Sequence, residues 1–252
     1  MAFGDYQDRV IMITGAASGL GECLAAKLAA LGARLVLGDR NTAGLEKVAA
    51  SLSSARGEVL AESCDVTRED EVRSLVNRAV AVFGRLDVGI NNAGIATPMK
   101  AFIDTEEAEL DLNFAVNTKG VFFGMKHQIR QMLTQGEGII LNVASMAGIG
   151  GAPKLAAYAA AKHAVVGLTR TAAVEYARFN IRVNALCPYY TTTPMVTDSD
   201  LADKQDFLAK GSPMKRLGKP EEVVAVMLML CASDNSYMNG QTIAVDGGVS
   251  AF

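Results

Sequence analysis

The chain has 252 residues, 50% of them apolar, and a net charge of −3 with acidic and basic residues interspersed. That length suits one α/β domain and supplies a sizeable core. The composition offers no basic patch for nucleic acid, no polybasic run for an anionic membrane, and no apolar stretch long enough to span a bilayer.

Short apolar runs alternate with helical periods along the chain. Val10–Thr14 reads as a strand and Leu20–Leu31 as a helix stopped at Gly32. Arg34–Gly38 is a strand, Ala43–Leu52 a helix, Glu58–Glu62 a strand and Arg68–Phe83 a helix. Leu86–Ile90 is a strand, followed by helical segments near Thr105–Asn113 and Phe114–Thr134. Then come strand Ile139–Val143, the long helix Ala156–Phe179, strand Ile181–Leu186, helix Pro220–Ala232 and a last strand, Thr242–Val245. Alternation of this kind predicts βαβ units and a parallel sheet. The strands are apolar on both sides, as helices on both faces require. The expected fold class is α/β: a Rossmann-like, doubly wound parallel sheet of about seven strands in a single domain. The one long irregular region, Cys187–Pro220, holds four of the six prolines and is expected to act as a lid over about 189–219.

The first strand runs into Thr14-Gly-Ala-Ala-Ser-Gly-Leu-Gly21. Glycines in a strand-to-helix turn let backbone approach a pyrophosphate, and the following helix start offers free N–H groups and a positive dipole end. The spacing is G-x-x-x-G-x-G. Asp39 closes the second strand, where a carboxylate accepts hydrogen bonds from a ribose diol and repels a 2′-phosphate, favouring NAD over NADP. Arg40 follows at once and offers a phosphate partner, which weakens that preference. Cys64-Asp65-Val66 and Asn91-Asn-Ala-Gly94 place small polar groups at the ends of the third and fourth strands, where ligands bind in open α/β sheets.

The chemistry-bearing residues lie mid-chain. Tyr158 and Lys162 are four apart and share one helix face. An ammonium beside a phenol favours the anion and is expected to lower the tyrosine pKa from about 10 toward neutrality. Ser145 follows the strand of residues 139–143 and can hold a substrate oxygen while Tyr158 passes its proton. The four cysteines (Cys23, Cys64, Cys187, Cys231) are scattered, which argues against a zinc site or disulfide framework and for a reducing, cytoplasmic compartment. No metal is expected. His127 and His163 read as packing or surface residues. The N-terminus, Met1-Ala-Phe-Gly-Asp-Tyr-Gln-Asp8, is polar and has no signal-like apolar core.

Taken together, Thr14-Gly-x-x-x-Gly-x-Gly21, Asp65, Asn91-Asn-Ala-Gly94, Asn117, Ser145, Tyr158-x-x-x-Lys162, Asn184…Pro188 and Arg216-x-Gly-x-Pro-Glu-Glu222…Gly240…Asp246-Gly-Gly248 resemble the short-chain dehydrogenase/reductase superfamily over essentially the whole chain. The resemblance implies a catalytic set of Asn117, Ser145, Tyr158 and Lys162. Tyr158 is the acid/base, Lys162 holds the nicotinamide ribose and lowers the tyrosine pKa, and Asn117 holds a water in a proton relay. It implies cofactor contacts from Gly15, Ser18, Gly19, Leu20, Gly21, Asp39, Arg40, Asp65, Val66, Asn91, Ala93, Gly94, Tyr158, Lys162, Pro188, Tyr189, Thr191 and Thr193. Substrate contacts are expected from Ser145, Ile149, Gly151, Tyr158, Tyr189, Tyr190 and Met195. The family commonly forms tetramers, and the small-residue-rich Ala156–Phe179 helix and its neighbour would supply a homotetramer or homodimer interface.

One departure stands out. The family usually has Pro-Gly where this chain has Pro188-Tyr189-Tyr190. Either Tyr189 takes the glycine's backbone angles, at a cost for a bulky residue, or it places a ring near the nicotinamide. Apolar residues in the 95–102 loop, after Ser145 and in the lid suit a bulky, weakly polar substrate: a steroid, alicycle or aryl ketone or alcohol. The expected activity is NAD-dependent interconversion of such an alcohol and its ketone. The rivals are an NADPH-dependent 3-ketoacyl-thioester reductase and a non-catalytic dinucleotide sensor.

Overall fold

The structure, a computed structural model, describes residues 5–53 and 57–251. The first four residues of the polar N-terminal segment lie outside these. Seven strands form one parallel sheet in the order β3-β2-β1-β4-β5-β6-β7: β1 (Val10–Thr14), β2 (Arg34–Asp39), β3 (Val59–Ser63), β4 (Val88–Asn91), β5 (Gly138–Val143), β6 (Ile181–Pro188) and β7 (Thr242–Val245). Strand order reverses between β1 and β4, so their carboxyl ends open a crevice suited to a ligand.

Helices cover both faces. On one lie α1 (Gly19–Ala30), α2 (Thr42–Ser51) and α9 (Pro220–Cys231); on the other lie α3 (Glu69–Phe83), α5 (Gly120–Gln135) and α6 (Ala156–Tyr176). Residues alternate between the two cores along β1: Ile11 and Ile13 join the first, Val10 and Met12 the second. This is why the strands read as continuously apolar. Local signals end the helices as chemistry requires. Gly84 and Gly136 close α3 and α5 in the left-handed conformation, at φ +79° and +81°.

Several predicted boundaries move for identifiable reasons. β6 runs two residues beyond its predicted end, because Cys187 and Pro188 pair with Ala244 and Val245 of β7. β4 starts at Val88, two residues late; the Leu86 backbone is taken by the Gln135 side chain and Asp87 accepts the Val10 N–H. The segment predicted as one helix from Phe114 opens with a wide π-helical turn, Phe114–Lys119, between α4 (Glu107–Asn113) and α5. The Cys187–Pro220 region is not irregular throughout. After the end of β6 it carries α7 (Pro194–Thr197), a turn at Ala202–Lys204 and α8 (Gln205–Gly211). Val196, Leu201, Leu208 and Leu217 form its own small core, against which Met99 and Tyr190 pack. Among the described residues no helix is long and apolar enough to cross a membrane, and no cluster of His, Cys, Asp and Glu could hold a metal ion.

Candidate active site

The glycine-rich turn is built by close approach. Gly15 has φ +67°, and a Cβ there would sit 2.7 Å from the Ala93 Cα. A Cβ on Gly21 would sit 2.1 Å from the Gly15 carbonyl oxygen, so any side chain at Gly21 would force the turn apart. Asn92 closes the turn from β4, its Nδ2 donating to the carbonyls of Thr14 and Gly15 at 3.0 Å each. At the start of α1 the Ser18 side chain caps nothing, so the first N–H groups of the helix, from Gly19 through Gly21, face the crevice without an intrahelical partner. Thr193 and Pro194 close over this end: a Cβ on Gly19 would lie 3.4 Å from the Thr193 Cβ.

A cleft beside the turn is lined by Gly15, Asp39, Arg40, Asp65, Val66, Ala93, Gly94 and their neighbours. Asp39 accepts the Ala17 N–H (3.0 Å) and the Asn41 N–H (2.8 Å). Each carboxylate oxygen keeps a further lone pair for a diol. Arg40 is exposed and has no ion pair among the described residues. Asp65 accepts both the backbone N–H and the hydroxyl of Thr67 through one oxygen, leaving the other open. Free helix-start donors, a backbone cradle without side chains and a carboxylate at the end of β2 fit a dinucleotide.

The Asn91 side chain turns away from the cleft. It is buried, giving hydrogen bonds to Gln128 (3.0 Å) and Asn142 (2.8 Å) and taking one from Gln128 (3.0 Å). It faces α5 and β5, not the cleft, because strand alternation sends consecutive side chains to opposite sides. The neighbouring Asn92 and Thr14, which sequence reasoning did not single out, do the tying at the crevice. Their signal was present in the paired Asn91-Asn92.

The proton-handling residues converge at the ends of β5 and β6. Ser145 caps a short turn, accepting the Ala147 N–H at 3.1 Å. That turn packs tightly on α6, where a Cβ on Gly148 would lie 2.7 Å from the Lys162 carbonyl oxygen. Lys162 is buried and donates to the Val143 carbonyl at 2.8 Å, with its Nζ 5.7 Å from the Tyr158 ring centroid. Asn117 is buried in the π-helical turn. Its Oδ1 accepts the Ile95 N–H (2.9 Å) and its Nδ2 donates to Ile95 O and Asn113 Oδ1 (3.0 Å each), so its amide hydrogens are already spent. A Cβ on Gly94 would meet Asn117 Oδ1 at 3.0 Å and Lys162 Nζ at 3.4 Å. Gly94 therefore leaves room for both.

The expected lowering of the Tyr158 pKa is not what this geometry gives. Burial pushes the phenol up, the Ser145 hydroxyl opposes this, and the Cys187 thiol adds a smaller rise. Burial also pulls the Lys162 ammonium down to about 8. Desolvation is the largest cause of both shifts.

On the substrate side, Ile149, Gly151 and Met195 are all exposed. The flanking loops are joined where Lys100 N–H donates to Lys154 O at 3.0 Å. Of the apolar residues in the segment after β6, Val196, Leu201 and Leu208 are buried in packing, while Met195, Phe207 and Met214 are exposed. The charged residues of that segment are all exposed. Burial pushes the Tyr190 phenol up to about 12, with smaller rises from Tyr189 and Tyr158. Pro188 ends β6, and Thr191 is buried, its hydroxyl bonded to Tyr189 O. Tyr189 does not take left-handed angles. Its N–H donates to Val245 O, continuing the β6–β7 ladder, and its ring turns toward α8.

Three comparisons bear on this site. A family model described as enoyl-(acyl carrier protein) reductase matches residues 15–250. The chain is 41% identical to levodione reductase of Leifsonia aquatica, covering 98% of this chain and 96% of that one, and a crystal structure of levodione reductase superposes with a TM-score of 0.94 at 40% identity, over 98% and 99% of the two chains. It is also 41% identical to cis-4-hydroxycyclohexanecarboxylate dehydrogenase of Sinomonas cyclohexanicum, over 98% of each chain. The 3-ketoacyl-(acyl-carrier-protein) reductase of Brucella melitensis, complexed with NADH, matches with a TM-score of 0.90 and 36% identity, over 97% and 99% of the chains.

Proposed function

The chain belongs to the short-chain dehydrogenase/reductase superfamily and is an oxidoreductase acting on CH–OH groups, and from that premise we propose that it interconverts a bulky, apolar, cyclic secondary alcohol and its ketone with NAD. The observation that carries this reading is the convergence of Ser145, Tyr158 and Lys162 beside the dinucleotide-fitting crevice. The bound nicotinamide supplies the hydride acceptor or donor. Gly15 and Gly19–Gly21 would receive the pyrophosphate, Asp39 the adenosine ribose, and Pro188, Thr191 and Thr193 the nicotinamide side of the groove.

Ser145 donates a hydrogen bond to the substrate oxygen and holds it against Tyr158. In reduction the Tyr158 phenol gives its proton to that oxygen; in oxidation the phenolate takes the alcohol proton. Lys162 places positive charge beneath the phenol and the ribose. Asn117, with its amide hydrogens committed, orders the π-helical turn, and the relay water would be held at that turn.

NAD is favoured over NADP because Asp39 sits where a 2′-phosphate would lie, and its fixed charge outweighs a mobile, exposed Arg40. Incubation with a panel of cyclohexanols, bicyclic alcohols, aryl carbinols and steroids should give NADH absorbance, with kcat/KM for NAD at least about ten-fold above NADP. Parity or an NADP preference removes the NAD reading and favours the 3-ketoacyl-thioester alternative. Silence across the panel removes the substrate class.

The same reading includes a homotetramer (or homodimer). α5 exposes Phe122 and Leu133, the preceding α4 exposes Leu112, and α6 exposes Val174 along a stripe with Ala160 and Gly167. Apolar surface and small residues on adjacent helices suit close helix-to-helix contact with a second copy. Light scattering should report a multiple of 26.5 kDa; a monomer at micromolar concentration overturns it. Four free thiols suit a reducing, cytoplasmic setting.

A further inference from the structure

We propose that Tyr189 is a positioning residue for substrate: a strut that pins α8 to the end of β6 and so fixes the height of the lid over the pocket. The inference rests on the lid reading above. Three contacts carry it. The Tyr189 hydroxyl donates to the Leu208 carbonyl at 3.2 Å. That carbonyl is one of the last of α8, and the Ser212 N–H that would reach it in a continuing helix bonds Ala209 O instead. Tyr189 thus caps the helix from the sheet side. Second, its ring meets Tyr190 edge-on, with centroids 4.8 Å apart and an interplanar angle of 79°. Tyr190 in turn packs against Val196, Leu201, Leu208 and Leu217, the small core of the lid. Third, the phenol occupies the space beside Gly211: a Cβ there would lie 2.5 Å from the Tyr189 hydroxyl oxygen but 3.6 Å from the ring carbon bearing it.

Tyr189 and Gly211 are therefore complementary in volume, with the glycine at the end of α8 and the side chain just past the end of β6. In the family this chain resembles, the strand position is usually glycine, which would leave α8 without this anchor. Here the Tyr189 hydroxyl and ring add a tie at α8 to a segment otherwise held by its own small core and by the bonds of Ser212 and Met214 to Gly247 O, and the position of α8 sets how much room lies between Tyr190 and the proton-handling residues.

The test is a double-mutant cycle. Tyr189→Phe removes only the hydroxyl. Amide exchange across residues 205–212, measured without substrate, should accelerate about five-fold, the scale of one net hydrogen bond. KM for the alcohol should rise by a similar factor, with a smaller change in kcat. Gly211→Ala alone should raise KM further, because its methyl meets the hydroxyl. Tyr189→Phe/Gly211→Ala should return KM to the level of Tyr189→Phe, because the nearest atom is then the ring carbon. Unchanged exchange in Tyr189→Phe, or multiplicative effects in the double variant, overturns the strut. The exchange readout needs no turnover, so a faster-exchanging α8 in a protein that oxidises no alcohol would sink the functional reading and leave the strut standing.

Discussion

Tyr158→Phe is expected to lower turnover by ~10³-fold or more, the scale of a positioned acid–base group, while NADH binding stays within about a factor of three. The variant keeps the ring that packs beside Lys162 and loses only the oxygen that handles the proton. The same residue sets the pH dependence. Because burial raises the Tyr158 pKa, the phenol is protonated at neutral pH. Reduction uses the protonated form and oxidation the deprotonated one, so kcat/KM for alcohol oxidation should climb steadily from pH 6 to 10, while that for ketone reduction should stay level over the same range. Stopped-flow NADH traces across pH 6–10 check both slopes. Near-normal turnover in Tyr158→Phe, or an alcohol-oxidation profile that stays flat in the parent protein, would remove the assignment.

Lys162→Met is expected to make the protein more stable and inactive. The ammonium is buried, bonded only to the Val143 carbonyl, and paired with no carboxylate among the described residues. Its pKa falls from 10.5 to about 8, so the fold binds that proton less tightly than the unfolded chain does. The resulting penalty is fully present below pH 8 and fades as pH climbs from 8 past 10.5. Its size at pH 7 is roughly 3 kcal/mol, from which about 1 is returned by the lost hydrogen bond. A gain of roughly 2 kcal/mol corresponds to about 4–8 °C in Tm for a chain of this length. Turnover should fall at least about a hundred-fold, as when a preorganised charge is removed. Calorimetry at pH 7 and pH 10.5 should show the Tm gain at the first and little at the second. A lower Tm at pH 7 defeats the argument, because it would mean the ammonium is already well solvated or paired.

Strand alternation and helix periods carried the sheet, its parallel direction and the strand-end location of the crevice. The Tyr158–Lys162 pair was readable because α-helical spacing alone places both on one face. Three features were not readable, each for a different reason. Asn91 and Asn92 are chemically identical in sequence, and only their parity along β4 decides which amide enters the core. The direction of the Tyr158 shift depends on how much water its surroundings exclude, which no spacing reports. The short helices after β6 owe their existence to the lid's own small core, though Thr193-Pro194 is a helix-start signal that would have found α7. Tyr189 belongs with these: its identity was visible, but its use depends on a glycine 22 positions later that only folding brings beneath it.

Gly94 carries a wider meaning. Its missing side chain is the mould in which Asn117 and Lys162 are cast: the volume a methyl would fill is bounded by an amide oxygen and an ammonium nitrogen from two other elements. A residue with no functional group thus records the outline of two that have one. The Asn-Asn-Ala-Gly turn and the Tyr-x-x-x-Lys helix are then one inherited unit, since enlarging the first trespasses on the second. A side chain at position 94 would press first on the Asn117 amide oxygen and only then touch the ammonium, so the glycine's emptiness is spent on the amide that orders the turn.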